Sequence, residues 1–143
     1  MIVADANLIA YFLISGAHTA AAEKTYEIDS HWVAPPLWRS EFLNVLVNTV
    51  RAGLLKPKSA EAVWGRALSV ILAEQEPDWS STFSLAVSQG ISAYDAQYIV
   101  LARTLGTVLV TADKQLLRKF PAHAVSIEQF ALGRGTETDD DTR

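Results

Sequence analysis

The sequence predicts an α/β fold, a three-layer α/β/α sandwich around a central, mostly parallel sheet. Short apolar segments rich in β-branched residues alternate with longer segments of helical periodicity, which is the order typical of β–α–β units. The apolar segments are continuous, as expected of strands that helices cover on both faces. With 143 residues, half of them hydrophobic, the chain is long enough for one domain with a sizeable core.

Four strands are predicted, and two of them deliver an acidic residue near their end. The first strand ends in Asp5, with Asn7 placed to begin the next helix, and Asp113 follows the third strand. The four segments are Met1–Asn7, His31–Ala34, Thr107–Val110 and Ala124–Ser126.

Seven helices are predicted between and around these strands. One of them begins at Ser92, a common N-cap residue, and ends at Gly106, a common C-cap residue. In the fourth helix, apolar residues that include Leu68 and Leu72 are expected to face the core. The seven segments are Leu8–Ile14, Ala17–Ile28, Leu37–Ala52, Ser59–Glu74, Ser81–Gln89, Ser92–Gly106 and Lys114–Lys119.

One domain, residues 1–132, is predicted, followed by an acidic tail at residues 133–143. The tail contains no apolar residue and cannot bury enough surface to order itself, so it is predicted to be disordered. The last seven residues carry four acids and one base, so the formal charge of −4 leaves 12 acids against 11 bases in residues 1–136. A nucleic-acid partner is compatible with this balance, although no basic surface is displayed.

The composition also excludes several kinds of site. The chain has no cysteine, so it can form no disulfide, zinc–thiolate site or thiol nucleophile. Apolar runs such as Tyr98–Ala102 are far shorter than the roughly 18 residues of a membrane span. Ile2–Ala4 resembles a strand rather than a targeting leader. We therefore expect a soluble, cytoplasmic protein with no membrane partner.

Four acidic residues form the predicted site. Asp5 and Asp113 follow strands, whereas Glu41 and Asp95 lie in the first turns of helices. Because the carboxyl ends of parallel strands and the N-termini of the following helices share one edge of the sheet, these four side chains are expected to meet there. The segment Ser92–Asp95 also fits a capping box, in which Asp95 only satisfies backbone donors, and this alternative stays open.

Four carboxylates in one cleft indicate metal-assisted chemistry. Their mutual repulsion is strongly unfavourable unless protons or cations neutralise it. Hard oxygen ligands without sulfur favour Mg²⁺, with Mn²⁺ as a substitute. Such an ion can bind a phosphate oxygen and activate water, so hydrolysis of a phosphodiester is predicted. Thr111, two residues before Asp113, is either a hydrogen-bonding partner for a ligand or phosphate, or an ordinary strand residue.

Four short motifs, taken in order, resemble those of PIN-domain nucleases, and the chain length resembles that of VapC-type toxins of toxin–antitoxin pairs. The resemblance spans residues 1 to about 132. It implies a metal-dependent endoribonuclease that acts on RNA, a homodimer, and a small antitoxin protein that occupies the cleft. The motifs are Asp5-Ala6-Asn7, Glu41 with Asn44, Ser92-Ala93-Tyr94-Asp95-Ala96, and Thr111-Ala112-Asp113-Lys114.

The same resemblance implies four catalytic acids supported by three polar residues. The acids are Asp5, Glu41, Asp95 and Asp113, and the supporting residues are Asn7, Asn44 and Thr111. Asp5 and Asp95 would bind the ion, and the other two acids would bind it directly or through water. Many relatives carry a further acid directly after the fourth, where this chain has Lys114 and Gln115. The number of metal ions, one or two, therefore stays open.

Two other classes of function fit the acids less well. A phosphoacceptor receiver domain also places acids at strand ends, but it needs an acid pair after the first strand, where this chain has only Asp5. A non-catalytic RNA- or protein-binding module on the same fold would be signalled by the loss of one or more acids, and none is lost. This second alternative stays open.

Two predicted helices carry more apolar residues than one core-facing stripe requires. They are Leu37–Ala52 and Ser59–Glu74, and the surplus residues include Val47, Trp64 and Val70. We expect part of this surface to pack in a homodimer or to receive a segment of the antitoxin.

Overall fold

A central sheet of five parallel strands organises the computed structural model, which describes residues 1–133. The strands are β1 (Ile2–Ala4), β2 (Trp32–Ala34), β3 (Ile71–Glu74), β4 (Leu109–Thr111) and β5 (Ala124–Ser126). Their order across the sheet is β3-β2-β1-β4-β5, and every neighbouring pair is parallel. The predicted fold class is confirmed.

Helices pack on both faces of this sheet. They are α1 (Ala6–Leu13), α2 (Thr19–Ile28), α3 (Trp38–Arg51), α4 (Pro57–Val70), α5 (Trp79–Gln89), α6 (Ala93–Leu105), α7 (Lys114–Lys119) and α8 (Ile127–Ala131). Successive residues of a strand point to opposite faces. Ile2 and Ala4 therefore join the core formed with α1 to α4 and α8, whereas Val3 joins the core formed with α5, α6 and α7.

The segment predicted as one helix, Ser59–Glu74, is a helix followed by a strand. After α4 ends, Ile71 pairs with Trp32 of β2 and is buried. Leu72 is 62% exposed and Leu68 is 40% exposed, so the prediction that both face the core was wrong. The apolar residues of β3 continue the helical spacing of α4, and periodicity alone could not separate a short edge strand from the helix before it.

Several other boundaries differ from the prediction by a few residues. The helix α1 has Asp5 as its N-cap and begins at Ala6, so the prediction that Asn7 begins it was wrong. The strand β4 starts later than predicted and ends with Thr111. The short helix α8 was not predicted, although the Ser126 hydroxyl caps it by accepting a backbone N–H at 3.1 Å.

The signals that were local to one element predicted it well. As expected, Ser92 is the N-cap of α6, and Gly106 ends that helix with a φ of 64°, which favours glycine. The bounds of α7 and β5 are those predicted. The predicted tail, residues 133–143, lies outside the described residues except for Gly133. Within residues 1–133, no helix combines the length and apolar character needed to cross a membrane.

Candidate active site

The candidate site lies where the chain reverses its direction of travel across the sheet. The strands β2 and β3 are added on one side of β1, and β4 and β5 are then added on the other. In parallel sheets such a switch point opens a crevice at the carboxyl ends of the two central strands, here β1 and β4. Asp5 directly follows β1 and Asp113 lies two residues after β4, so both acids lie at this crevice.

Thr111 connects these two acids. Its hydroxyl donates a hydrogen bond to Oδ2 of Asp5 at 2.5 Å and accepts the backbone N–H of Asp113 at 3.0 Å. Asp113 in turn is the N-cap of α7, because its Oδ1 accepts the N–H of Leu116 at 3.0 Å. Since Thr111 is fully buried, its single hydroxyl proton orients Asp5 instead of contacting solvent.

Two helix N-termini contribute the other two acids. Glu41 lies in the first turn of α3 and Asp95 in the first turn of α6. Tyr98, a buried residue of α6, donates its hydroxyl to Oε1 of Glu41 at 2.6 Å. Sequence reasoning missed this contact. The available signal is the place of Tyr98 three residues after Asp95, which puts both side chains on one side of the helix.

The roles of Ser92 and Asp95 at the start of α6 are distinct. The Ser92 hydroxyl caps the helix by accepting the backbone N–H of Asp95 at 3.0 Å. Within residues 1–133, the Asp95 carboxylate does not accept the Ser92 backbone N–H, the second bond of a capping box. The Ser92 hydroxyl therefore provides the cap and also lies close enough to the Asp95 carboxylate to lower its pKa, while Asp113 acts on the same carboxylate in the opposite sense.

Burial and mutual repulsion disfavour the charged forms of three of the acids. Burial raises the pKa of Asp5 more than its hydrogen bonds lower it, and the charge of Asp113 adds to this shift. Burial also raises the pKa of Glu41, with a further increase from Asp5 and Asp95. Burial raises the pKa of Asp95 and Asp113 again adds to it, while a hydrogen bond from Ser92 partly offsets the increase. These mutual effects show that the four acids are electrostatic neighbours.

The two asparagines predicted to support the site lie beside it. Asn7 is exposed in the first turn of α1, and Asn44 is exposed one turn after Glu41 on α3. Neither side chain makes a hydrogen bond to any residue in the described part of the chain. Both side chains are accessible to a ligand and neither holds an acid in place, although the Asn7 backbone contributes a hydrogen bond that lowers the pKa of Asp5.

The four carboxylates are chemically suited to a hard divalent cation, although they are not arranged as a complete coordination shell. All four acids offer carboxylate oxygens, the ligands that Mg²⁺ and Mn²⁺ prefer. The ion pairs among residues 1–133 involve other acids, so no basic side chain neutralises this cluster. In the same range, no three acidic or histidine side chains are positioned to hold one ion together. A bound cation would have to draw the carboxylates closer, and it would relieve their repulsion.

Comparison with known proteins agrees with this architecture. The model of the PIN domain family matches residues 2–121. Ribonuclease VapC3 of Pyrobaculum aerophilum is 30% identical over 125 residues, which cover 85% of this chain and 95% of that protein. Exonuclease VapC9 of the same organism is 33% identical over 89 residues, or 62% of this chain and 66% of that protein.

A solved structure shows the same fold. The crystal structure of PAE2754 from Pyrobaculum aerophilum matches with a TM-score of 0.77 at 24% identity, covering 95% of this chain and 96% of that one. The chain belongs to the PIN-domain family. Within that family it is of the VapC type, like the two relatives named above. The resemblance inferred from the four motifs is thereby confirmed.

Substitution of Asp95 distinguishes a capping role from a role in the acidic cluster. In EDTA, Asp95→Ala removes one of several repelling charges, so its melting temperature should be no lower than that of the wild type. The variant should also lose most of the upward shift on adding Mn²⁺. Ion binding to the native state stabilises by RT ln(1 + [L]/Kd), about 2.7 kcal/mol at 100 times Kd. Thermal melts with and without Mn²⁺ measure both effects.

Ser92→Ala is the matched control in the same helical turn. Loss of the N-cap should lower the melting temperature in EDTA, at a cost of about 0.5–2 kcal/mol, and should keep most of the Mn²⁺ shift, because the Asp95 carboxylate remains. If Asp95→Ala instead melts lower in EDTA and keeps the full Mn²⁺ shift, Asp95 is only part of the cap.

The raised pKa of Asp5 predicts how stability depends on pH in the absence of metal. The native state binds the Asp5 proton more tightly than the unfolded state does. The bound proton therefore stabilises the native state below the ordinary pKa of 3.8, and this stabilisation is lost as the pH rises through the higher native pKa. In EDTA, the stability of Asp5→Asn relative to the wild type should increase from about pH 4 to about pH 7. Urea unfolding at several pH values measures this difference.

Asp78 provides a control of opposite sign for that experiment. Hydrogen bonds from Ser81 lower the pKa of Asp78, so its contribution to stability is present above 3.8 and is lost as the pH falls through the lower native pKa. Asp78→Asn should therefore be less stable than the wild type from about pH 5 upward and should approach the wild type as the pH falls below about 4. A stability difference for Asp5→Asn that stays constant over the range would contradict the upward shift of the Asp5 pKa.

Proposed function

We propose that the chain is a metal-dependent endoribonuclease that hydrolyses phosphodiester bonds of cytoplasmic RNA, as the toxin of a type II toxin–antitoxin pair. The observation that carries this proposal is the convergence of four carboxylates, from four elements, at the switch point of a parallel sheet. The 30% identity to a protein named ribonuclease VapC3, over 95% of its length, supports RNA as the substrate class.

Within this proposal the acids would bind a divalent cation, Mg²⁺ or Mn²⁺. Asp5 and Asp95 would hold it, with Glu41 and Asp113 acting directly or through water. The ion would supply positive charge at the phosphate and acidify a water molecule. The protein contributes orientation, because Thr111 fixes the Asp5 carboxylate and the α7 N-terminus fixes that of Asp113.

A non-catalytic RNA- or protein-binding module is the second candidate. It is favoured by the absence, among residues 1–133, of three side chains already positioned around one ion. It is disfavoured because every acid of the predicted set is retained. Cleavage of RNA by the purified protein decides between the two.

Metal-dependent cleavage is the direct test. The purified chain, free of partner, should cut total RNA into discrete fragments with Mn²⁺ and should stop in EDTA. Asp5→Asn should slow cleavage by more than about a hundredfold, since changes to the outer partners of metal sites already cost ten- to a hundredfold. Asp78→Asn is the control, because it makes the same chemical change at an exposed helix cap outside the cluster.

The products distinguish the possible reactions. With end-labelled RNA, an endonuclease yields internal fragments from the start, whereas an exonuclease shortens the RNA progressively from one end. Wild-type speed in Asp5→Asn would show that the site is misassigned. RNA binding by the wild type without any cleavage would support the binding module.

A groove between α3 and α4 is the proposed surface for the antitoxin. Its volume is about 620 Å³. The predicted surplus residues Val47 and Trp64 line it, whereas Val70 packs against the core. Its apolar lining, which fits an apolar segment of a partner protein, is Leu43, Leu46, Val47, Val50, Pro57, Ala60 and Trp64.

The outer face of α5 is the proposed surface for a homodimer. Trp79, Phe83 and Val87 are 78%, 64% and 69% exposed and recur at every fourth position of the helix. No residue of α5 is charged. Two copies of this helix can therefore face each other across a two-fold axis without repulsion between like charges.

One charged substitution on each surface tests both assignments. Phe83→Asp should convert a dimer to a monomer and leave antitoxin binding unchanged. Leu43→Asp should weaken antitoxin binding by about tenfold or more and leave the dimer intact, because a charge is costly in an apolar contact. Light scattering and calorimetry with the product of the adjacent small reading frame measure these effects, and each variant is the control for the other. A wild type that is monomeric at micromolar concentration and does not bind that product would contradict both assignments.

A further inference from the structure

The hydroxyl of Tyr98 makes a contact between two helices that belong to different cores. Tyr98 lies on α6, in the core formed with α5 and α7, whereas Glu41 lies on α3, which packs on the opposite face of the sheet. The Tyr98 side chain is 2% exposed, and its hydroxyl reaches Oε1 of Glu41 at 2.6 Å. This bond therefore crosses the carboxyl edge of the sheet, where the acidic cluster lies.

Glu41 needs such an anchor because its neighbours repel it. The negative charges of Asp5 and Asp95 act on its carboxylate, and Glu41 is only partly buried. A glutamate side chain has several rotamers, so an unanchored Glu41 would turn away from the other acids toward solvent. The Tyr98 hydroxyl holds one carboxylate oxygen and leaves the other free for a ligand.

We propose that Tyr98 is a positioning residue, whose hydroxyl holds the Glu41 carboxylate beside Asp5 and Asp95 before any cation binds. The inference rests on the proposed metal site and adds a residue to it. Because Asp95 and Tyr98 lie one turn apart on α6, this helix carries one acid of the cluster and the anchor of another. A phenol suits this task, since it donates a hydrogen bond without cancelling the negative charge that attracts the cation.

Tyr98→Phe removes only the hydroxyl, and Tyr94→Phe is its matched control. Tyr94 lies on the same helix, is 62% exposed, and makes no hydrogen bond with its hydroxyl in the described part of the chain. The measurement is the Kd for Mn²⁺, from calorimetry or from the electron paramagnetic resonance of free Mn²⁺ at fixed pH. Tyr98→Phe should raise this Kd about ten- to a hundredfold, the usual effect of losing a partner of a metal ligand. Tyr94→Phe should leave it unchanged.

A double-mutant cycle with Glu41→Ala shows whether Tyr98 acts through Glu41. In the Glu41→Ala background, Tyr98→Phe should cause no further loss of Mn²⁺ affinity, because the side chain that it positions is gone. An equal loss in both backgrounds would show a general structural effect and would overturn the inference. Unchanged Mn²⁺ binding by Tyr98→Phe would overturn it as well.

The same measurements separate this inference from the proposed function. Suppose that the Mn²⁺ affinities of the wild type and the variants follow the double-mutant cycle as expected, but the wild type cuts no RNA. The proposed nuclease activity then fails and the role of Tyr98 stands. If the wild type binds no Mn²⁺, the role of Tyr98 is overturned. Cleavage of RNA with an unchanged Kd in Tyr98→Phe would support the nuclease and overturn the positioning role.

Discussion

Repulsion among four carboxylates is the constraint on which the arrangement of this domain depends. Glu41 is carried by a helix of one hydrophobic core, and Asp95 and Asp113 are carried by helices of the other. Asp5 follows β1, whose residues enter both cores. Separating the acids would therefore require unpacking apolar side chains on both faces of the sheet. Burial of those side chains is the favourable term that keeps like charges together.

Neutral donors, and not basic side chains, orient the acids. The Thr111 hydroxyl binds Asp5, the Tyr98 hydroxyl binds Glu41, and a backbone N–H of α7 binds Asp113. An arginine or lysine in their place would form a stable ion pair and would compete with any metal ion for the carboxylate oxygens. Hydroxyl and amide donors fix the direction of a carboxylate and preserve its charge. The site is thus oriented and still short of positive charge, which is the condition under which a cation binds strongly.

The sequence predicted those features that depend on local signals. A residue directly after a buried strand must lie at the carboxyl edge, so the places of Asp5 and Asp113 followed from the parallel sheet alone. The strand β3 was missed because an edge strand with one buried residue continues the spacing of the preceding helix. The bond from Tyr98 to Glu41 joins residues 57 positions apart. The spacing from Asp95 places Tyr98 on the side of α6 that carries an acid, but no local pattern shows that its hydroxyl donates to Glu41. Contacts of that kind appear only when the packing of both faces is known.

The electrostatics of the site also link the proposed substrate to the proposed ion. Residues 1–136 contain 12 acids and 11 bases, and no basic side chain of residues 1–133 pairs with the acidic cluster. RNA gains most of its affinity for proteins from contacts to its phosphates, so the metal-free cluster would repel the phosphates of the proposed substrate. A bound cation reverses the sign of that interaction. Linkage then requires that RNA strengthen ion binding by the same factor by which the ion strengthens RNA binding. Affinity for substrate and competence for hydrolysis would therefore arise in one step, when the cation enters.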